Sequence, residues 1–142
     1  MTIPLDYQTA TAGFDRFLAA ARDRAGLATR NQTYTMVDGV FRTFRRRLTV
    51  EQAIAFAGLL PPVLRAIFVA DWDLADAILP FGDRADLTRE VQALRPDHNF
   101  SPDSSIEDVA AALRAEIDGA AFERLLARLP PGAVEYWRVP DA

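Results

Sequence analysis

The sequence predicts an all-α chain: a compact helical bundle of about seven to eight helices, built from two helical repeats related by a pseudo-two-fold axis. Three observations carry that prediction. Apolar residues recur at the three- and four-residue spacing of amphipathic helices nearly everywhere, and no segment shows the sustained alternation of a strand. The helical pattern is broken twice by the same tripeptide, at Leu60-Pro61-Pro62 and Leu129-Pro130-Pro131. Laid on each other at an offset of 69 residues, the two halves bring those breaks into register.

Each element follows from its own residues. Phe14, Phe17, Leu18, Ala21 and Ala25 form the first apolar stripe; Thr9 or Thr11 is the expected N-cap, and Gly26 sits where a left-handed terminator belongs. Val37, Val40, Phe41, Phe44 and Leu48 form the second stripe, with Asn31 or Thr33 in the cap position. Thr49-Val50-Glu51-Gln52 has the pattern of a capping box, opening a third helix through Ile54, Phe56, Leu59 and Leu60. Pro61 disfavours helical geometry for Leu60, while Pro is tolerated in a first turn, so Val63, Leu64, Ile67 and Phe68 begin a new helix running toward Trp72. Residues 72–85 read as a linker, with a short helical turn over Leu74, Ala75, Ile78 and Leu79 followed by loop. Asp86 is expected to cap Leu87 to Leu94, and Arg95 to Ser105 is a run of turn formers. Ile106, Val109, Ala110, Leu113 and Ile117 share one face of the next helix. Asp118 caps another that holds Phe122, Leu125, Leu126 and Leu129, and Val134, Tyr136 and Trp137 close the ordered chain.

The overlay runs without a gap from residue 40 to residue 70. It places Val40 on Val109, Phe44 on Leu113, Arg45 on Arg114, Leu48 on Ile117, Thr49 on Asp118, Phe56 on Leu125 and Phe68 on Trp137. Only five positions in that window are identical, but caps, breaks and apolar positions align together. Two units, about 13–71 and 86–138, would each present an apolar stripe that neither can bury alone, so one domain with a shared core is expected. The first helix of the second unit is the shorter, which departs from strict symmetry.

The run Phe41-Arg42-Thr43-Phe44-Arg45-Arg46-Arg47-Leu48-Thr49-Val50-Glu51-Gln52-Ala53, with Leu60-Pro61-Pro62-Val63-Leu64-Arg65, resembles a bacterial family known as domain of unknown function (DUF) 2267. So do Asn99-Phe100-Ser101-Pro102-Asp103-Ser104, Val109 to Leu113 and Leu129-Pro130-Pro131. The resemblance spans roughly residues 13–138. It implies an all-α fold and transfers no catalytic residue or cofactor.

With 142 residues and 15.7 kDa, the chain has the length of one domain. The absence of Cys excludes disulfides, thiol nucleophiles and cysteine-ligated metals, and a single His excludes a multi-histidine site within one chain. Every basic residue is Arg, a substitution consistent with codon usage in a GC-rich bacterial genome. The net charge of −4 argues against general nucleic-acid binding. Its distribution is uneven. Residues 1–71 hold nine Arg against six acids and residues 72–142 hold seven against fourteen, so the halves carry +3 and −7. No basic-then-apolar leader and no 18-residue apolar run occurs, so the expected location is the cytoplasm.

Chemistry-bearing residues are few. Arg42, Arg45 and Arg46 share a helix face at i, i+3 and i+4 and are the candidate anion or partner contact. Near a helix C-terminus, such a cluster also reads simply as a solvated basic end. Asp71-Trp72-Asp73-Leu74-Ala75-Asp76 lacks the Gly and Glu that a calcium loop needs at its sixth and twelfth positions. His98, between Asp97 and Asn99, has no nucleophile to serve and reads as loop polarity. Trp72, Tyr136 and Trp137 read as core or core edge, and Glu107, Asp108, Glu116 and Glu123 as a solvated acidic face. The functional expectation is a non-enzymatic helical module that binds another protein or a copy of itself through its oppositely charged halves. Alternatives are a small apolar or anionic ligand in the groove between repeats and, more weakly, nucleic acid on the Arg42/Arg45/Arg46 face.

Overall fold

The computed structural model describes residues 1–140, and among these there are nine α-helices and no strand. They are α1 (Leu5–Gln8), α2 (Ala10–Ala25), α3 (Arg30–Arg45), α4 (Val50–Ala57) and α5 (Pro62–Val69). A non-helical linker leads to α6 (Arg84–Ala93), a 3₁₀ turn (Pro96–His98), α7 (Ser105–Arg114), α8 (Gly119–Leu126) and α9 (Ala133–Tyr136). No helix is long and apolar enough to cross a membrane.

Several ends are set by the predicted chemistry. Gly26 terminates α2 with φ 68°, and its N–H and that of Leu27 both reach Arg22 O, closing the last turn. The Thr49–Gln52 capping box is formed, Pro62 occupies the first turn of α5, and Asp118 accepts the Ala121 N–H. Other starts differ from expectation. α3 begins earlier, because Thr29 and Gln32 form a second capping box in place of Asn31 or Thr33. α6 is capped by Asp83, three residues before Asp86. Thr9 precedes α2, but its hydroxyl donates back to Leu5 O because the added helix α1 runs into it. The helical turn expected over residues 74–79 is absent: only isolated turns form there, with Ala75 N–H bonded to Asp73 Oδ1.

Helices from the two halves pack crosswise, α2 along α7 and α3 along α6. Gly39 permits the second approach; a Cβ there would lie 2.9 Å from Val91 O. The core between them is aromatic. Trp137 is fully buried and lies within 6.3 Å, centroid to centroid, of Phe41, Phe44, Phe56, Phe122 and Tyr136. Rings from both halves therefore interleave, each burying enough apolar surface to contribute about 2–3 kcal/mol. The Tyr136 hydroxyl donates to Val40 O at 2.6 Å, and burial pushes its phenol well above the ordinary value, so it remains a neutral donor.

Positions 69 residues apart repeatedly play matching parts. Gly26 and Arg95 both adopt a left-handed backbone conformation. Thr49 and Asp118 are both helix caps whose side chains accept a backbone N–H. Arg45 donates to Phe68 O, and Arg114 to Trp137 O. Phe56 and Leu125 depart from this pattern: the first is buried, the second only partly so, because Phe122 and Leu126 turn inward instead.

Candidate functional site

The C-terminus of α3, the start of α4 and the linker enclose a cleft of about 130 Å³ that contains all three predicted arginines. Its lining includes Leu48, Val50, Trp72, Leu74 and Ile78 as well as Arg42, Arg45, Arg46, Asp71 and Asp76. The linker backbone is held in this position by two bonds: Leu79 N–H donates to Arg46 O, and the Arg47 side chain donates through Nε to Pro80 O. This cleft lies between the first half and the linker; hollows lined by residues of both halves also occur, one of about 290 Å³ between Arg16, Pro62 and Glu116 and one of about 180 Å³ between Arg46 and Glu90.

The arginine run is not a uniformly solvated helix end. Helical geometry sends successive side chains in different directions, and each meets a different neighbour. Arg42 pairs with Asp38 at 2.9 Å and Asp71 at 3.4 Å. Arg46 reaches Glu90 at 3.1 Å, and Arg47, itself buried, binds the same carboxylate at 2.5 Å while donating to Thr43 O. Burial works to raise the Glu90 carboxyl, but the bond and charge of Arg47, then those of Arg46, outweigh it and hold it below the ordinary carboxylate range.

Arg45 differs from its neighbours. It is only 5% exposed and donates to Phe68 O and Ala70 O, both at 2.9 Å, which caps the C-terminal end of α5. Trp72 lies over the guanidinium at 5.2 Å. Its Nε has no hydrogen-bond partner among the described residues, and no carboxylate there forms an ion pair with it. Burial, then repulsion from Arg42, pushes its pKa below the ordinary arginine value, whereas Asp38 carries Arg42 the other way against burial. A buried cation held by carbonyl dipoles and an aromatic face, without a carboxylate, is an unusual arrangement, because buried charges are ordinarily paired.

The remaining candidates divide cleanly. His98 is exposed, and it is Asn99 that braces the loop, donating to Val91 O and Leu94 O. Tyr136 and Trp137 are core, while Trp72 stands at the core edge. The acidic face is only partly solvated. Asp108 is 3% exposed, accepts from Ser104 Oγ at 2.7 Å and pairs with Arg24. Glu116 lies covered beneath Arg16 at 2.6 Å, whereas exposed Glu123 holds Arg114. Asp71 and Asp73 of the discarded calcium loop are engaged by Arg42 and by Ala75 N–H.

These pairs redirect the charge asymmetry of the halves. Arg16–Glu116, Arg24–Asp108, Arg46–Glu90 and Arg47–Glu90 each join an arginine of residues 1–71 to an acid of residues 72–142. The opposite signs face one another inside the chain. Sequence reasoning missed this because periodicity gives the face of a helix but not its neighbour across the core.

A larger hollow of about 610 Å³ lies between the start of α6 and α9. Its two arginines are already engaged: Arg84 donates to Glu135 O, Tyr136 O and Arg138 O, and Arg138 pairs with Glu135. It offers a ligand no unmatched donor comparable to Arg45.

No curated protein matches the chain. The family model described as an uncharacterized conserved protein, DUF2267, matches residues 14–136, nearly the whole helical body from α2 to α9, and the chain belongs to that family.

Proposed function

We propose that this is a non-enzymatic, cytoplasmic interaction module made of two similar helical units closed on one another, and that it receives a protein partner at the Arg45 cleft. The observation that carries this reading is the apolar rim around the cleft. Val50, Leu74 and Ile78 are exposed although they line it, and Ile54, one turn beyond Val50, is exposed too. Isolated exposed apolar residues need no explanation, but a group around a concave, arginine-floored site marks a contact surface. Self-association through the oppositely charged halves has less to draw on, because the cross-half ion pairs already satisfy much of that complementarity. Phosphate contact on the Arg42/Arg45/Arg46 face is disfavoured for a related reason: Arg42 and Arg46 are paired and Arg45 is buried.

A photo-crosslinking residue at position 78, compared with one at exposed Val134 in α9, which does not line the cleft, tests this reading in cells that natively carry the gene. The expected result is a discrete protein adduct from position 78 only, abolished by Leu74→Glu. Equal adducts from both positions, or none from position 78, would overturn it.

A further inference from the structure

The interaction reading leaves open what the mouth of the cleft recognises, and the side chains exposed there narrow the answer. Two walls form that mouth. On α4, Val50 and Ile54 are exposed one helical turn apart, with Glu51 exposed beside them. On the linker, Leu74 and Ile78 are exposed and interleaved with exposed Asp73 and Asp76. Each wall offers apolar side chains and carboxylates, and neither carries a cation.

The arginines lie beneath that level. Arg45 is buried under the Trp72 ring, and its Nε is closed off from solvent. Arg42 is held by Asp38 and Asp71, and Arg47 by Glu90; Arg46, the most exposed of the run, shares Glu90. Glu51, Asp73 and Asp76, by contrast, form no ion pair among the described residues. Asp73 accepts Ala75 N–H, a bond that leaves its charge in place. An approaching partner therefore meets a negative, apolar rim before it meets the basic floor, and complementarity calls for a positive, apolar surface.

The volume divides the partner's side chains between floor and rim. About 130 Å³ is close to a cavity of about 150 Å³ that admits benzene, so one leucine-sized side chain fills it, against Leu48, Val50 and Trp72. A cation placed there would lie beside Arg45 with no free carboxylate except Asp76, so the partner's cations belong at the mouth. The one-turn spacing of Val50 and Ile54 matches apolar residues repeated on one face of a helix.

Resting on the interaction reading above, we infer that the cleft receives a basic amphipathic helix of a partner protein, one apolar side chain entering between Val50 and Trp72 and its lysines or arginines meeting Glu51, Asp73 and Asp76.

Titration of ¹⁵N-labelled protein with a leucine–lysine amphipathic peptide of about four helical turns tests the inference. Two further peptides replace every lysine by glutamate or every leucine by serine. The indole resonance of Trp72 reports the cleft, and that of buried Trp137 reports the core. The expected result is saturable movement of Trp72 alone with the leucine–lysine peptide, at a Kd of about 0.1 mM or below, and at least about ten-fold weaker binding of the other two. Glu51→Gln with Asp73→Asn and Asp76→Asn, all at exposed positions, should weaken that peptide by about ten-fold or more. Asp97→Asn with Glu107→Gln, which removes two acids that do not line the cleft, should change it by less than about two-fold. Equal weakening by the two sets of substitutions would mean that the peptide reads only the chain's net charge, and overturns the inference. So does glutamate or serine peptide binding as tight as the leucine–lysine peptide, or no movement of Trp72 up to about 10 mM. A position-78 adduct without lysine/glutamate discrimination removes the basic-helix inference alone. Discrimination without any adduct removes the cellular interaction reading instead. An adduct made only of two copies of this chain would give the mouth to self-association and overturns the choice of partner.

Discussion

Arg45 and Arg114 stand 69 residues apart, each at the end of its helix, and each ties that helix to a carbonyl 23 residues later. Their surroundings then diverge. Arg114 retains 26% side-chain exposure, lies over Phe122 and is neutralised by Glu123. Arg45 is buried, lies against Trp72 and has only carbonyls for partners among the described residues. The local difference is the linker, which turns back after α5, supplies Ala70 O and Trp72, and walls a cleft. One staple is thus complete as it stands. The other is held by carbonyls and the Trp72 ring alone, beside a cleft whose exposed apolar rim is the reason the contact surface is placed there.

The comparison breaks most visibly in stability. Arg45→Met strips the Phe68 and Ala70 carbonyls of their donor and should cost about 3 kcal/mol in urea unfolding, whereas Arg114→Met, at a side chain that is more exposed, should cost about 1 kcal/mol. Equal costs would mean the two staples do not differ as described.

Next in size is the ion pair beside the cleft. Glu90→Gln leaves buried Arg47 without its carboxylate and should cost about 2 kcal/mol at neutral pH. Because the Glu90 carboxyl titrates lower in the folded chain than in the unfolded one, its stabilisation is full above an unfolded value of about 4.3 and is lost as pH falls through the folded value. The wild-type advantage over Glu90→Gln should therefore shrink on acidification below that point; an advantage unchanged at low pH would contradict the assignment.

The two crosswise contacts also differ. At the α3–α6 contact Gly39 lets a backbone carbonyl approach, while Asp108, its counterpart 69 residues on, makes a polar contact to Arg24 from α7. Gly39→Ala should cost about 2 kcal/mol, since the obstructing atom is Val91 backbone O and cannot swing away. The smallest effects concern the left-handed residues. Gly26→Ala should lose about 1 kcal/mol, and Arg95→Gly should gain up to about 1 kcal/mol by relieving a φ of 51°. A loss at Arg95→Gly would show that its side chain contributes something the backbone account omits.

Much of the fold was legible because local rules determine it. Gly26, the Thr49–Gln52 box, Asp118 and both proline breaks act within a few residues, and so they were readable. The Thr29–Gln32 box carries the same signature as Thr49–Gln52 and was legible too, but the apolar stripe starting at Val37 drew the helix start too far along. The site was legible by residue and not by environment. Arg42, Arg45 and Arg46 do meet at one cleft, yet their different fates depend on Asp38, Glu90 and the returning linker, contacts that periodicity does not encode. One signal was present: Arg45 and Arg114 are identical in an overlay with few identities, and a polar identity at a helix end points to a shared structural bond.

The most direct test of the account compares cross-linking from position 78, at the Arg45 cleft, with cross-linking from position 134 in the same cells. The account predicts a discrete protein adduct at the cleft alone; equal adducts from both positions, or none from position 78, would contradict it.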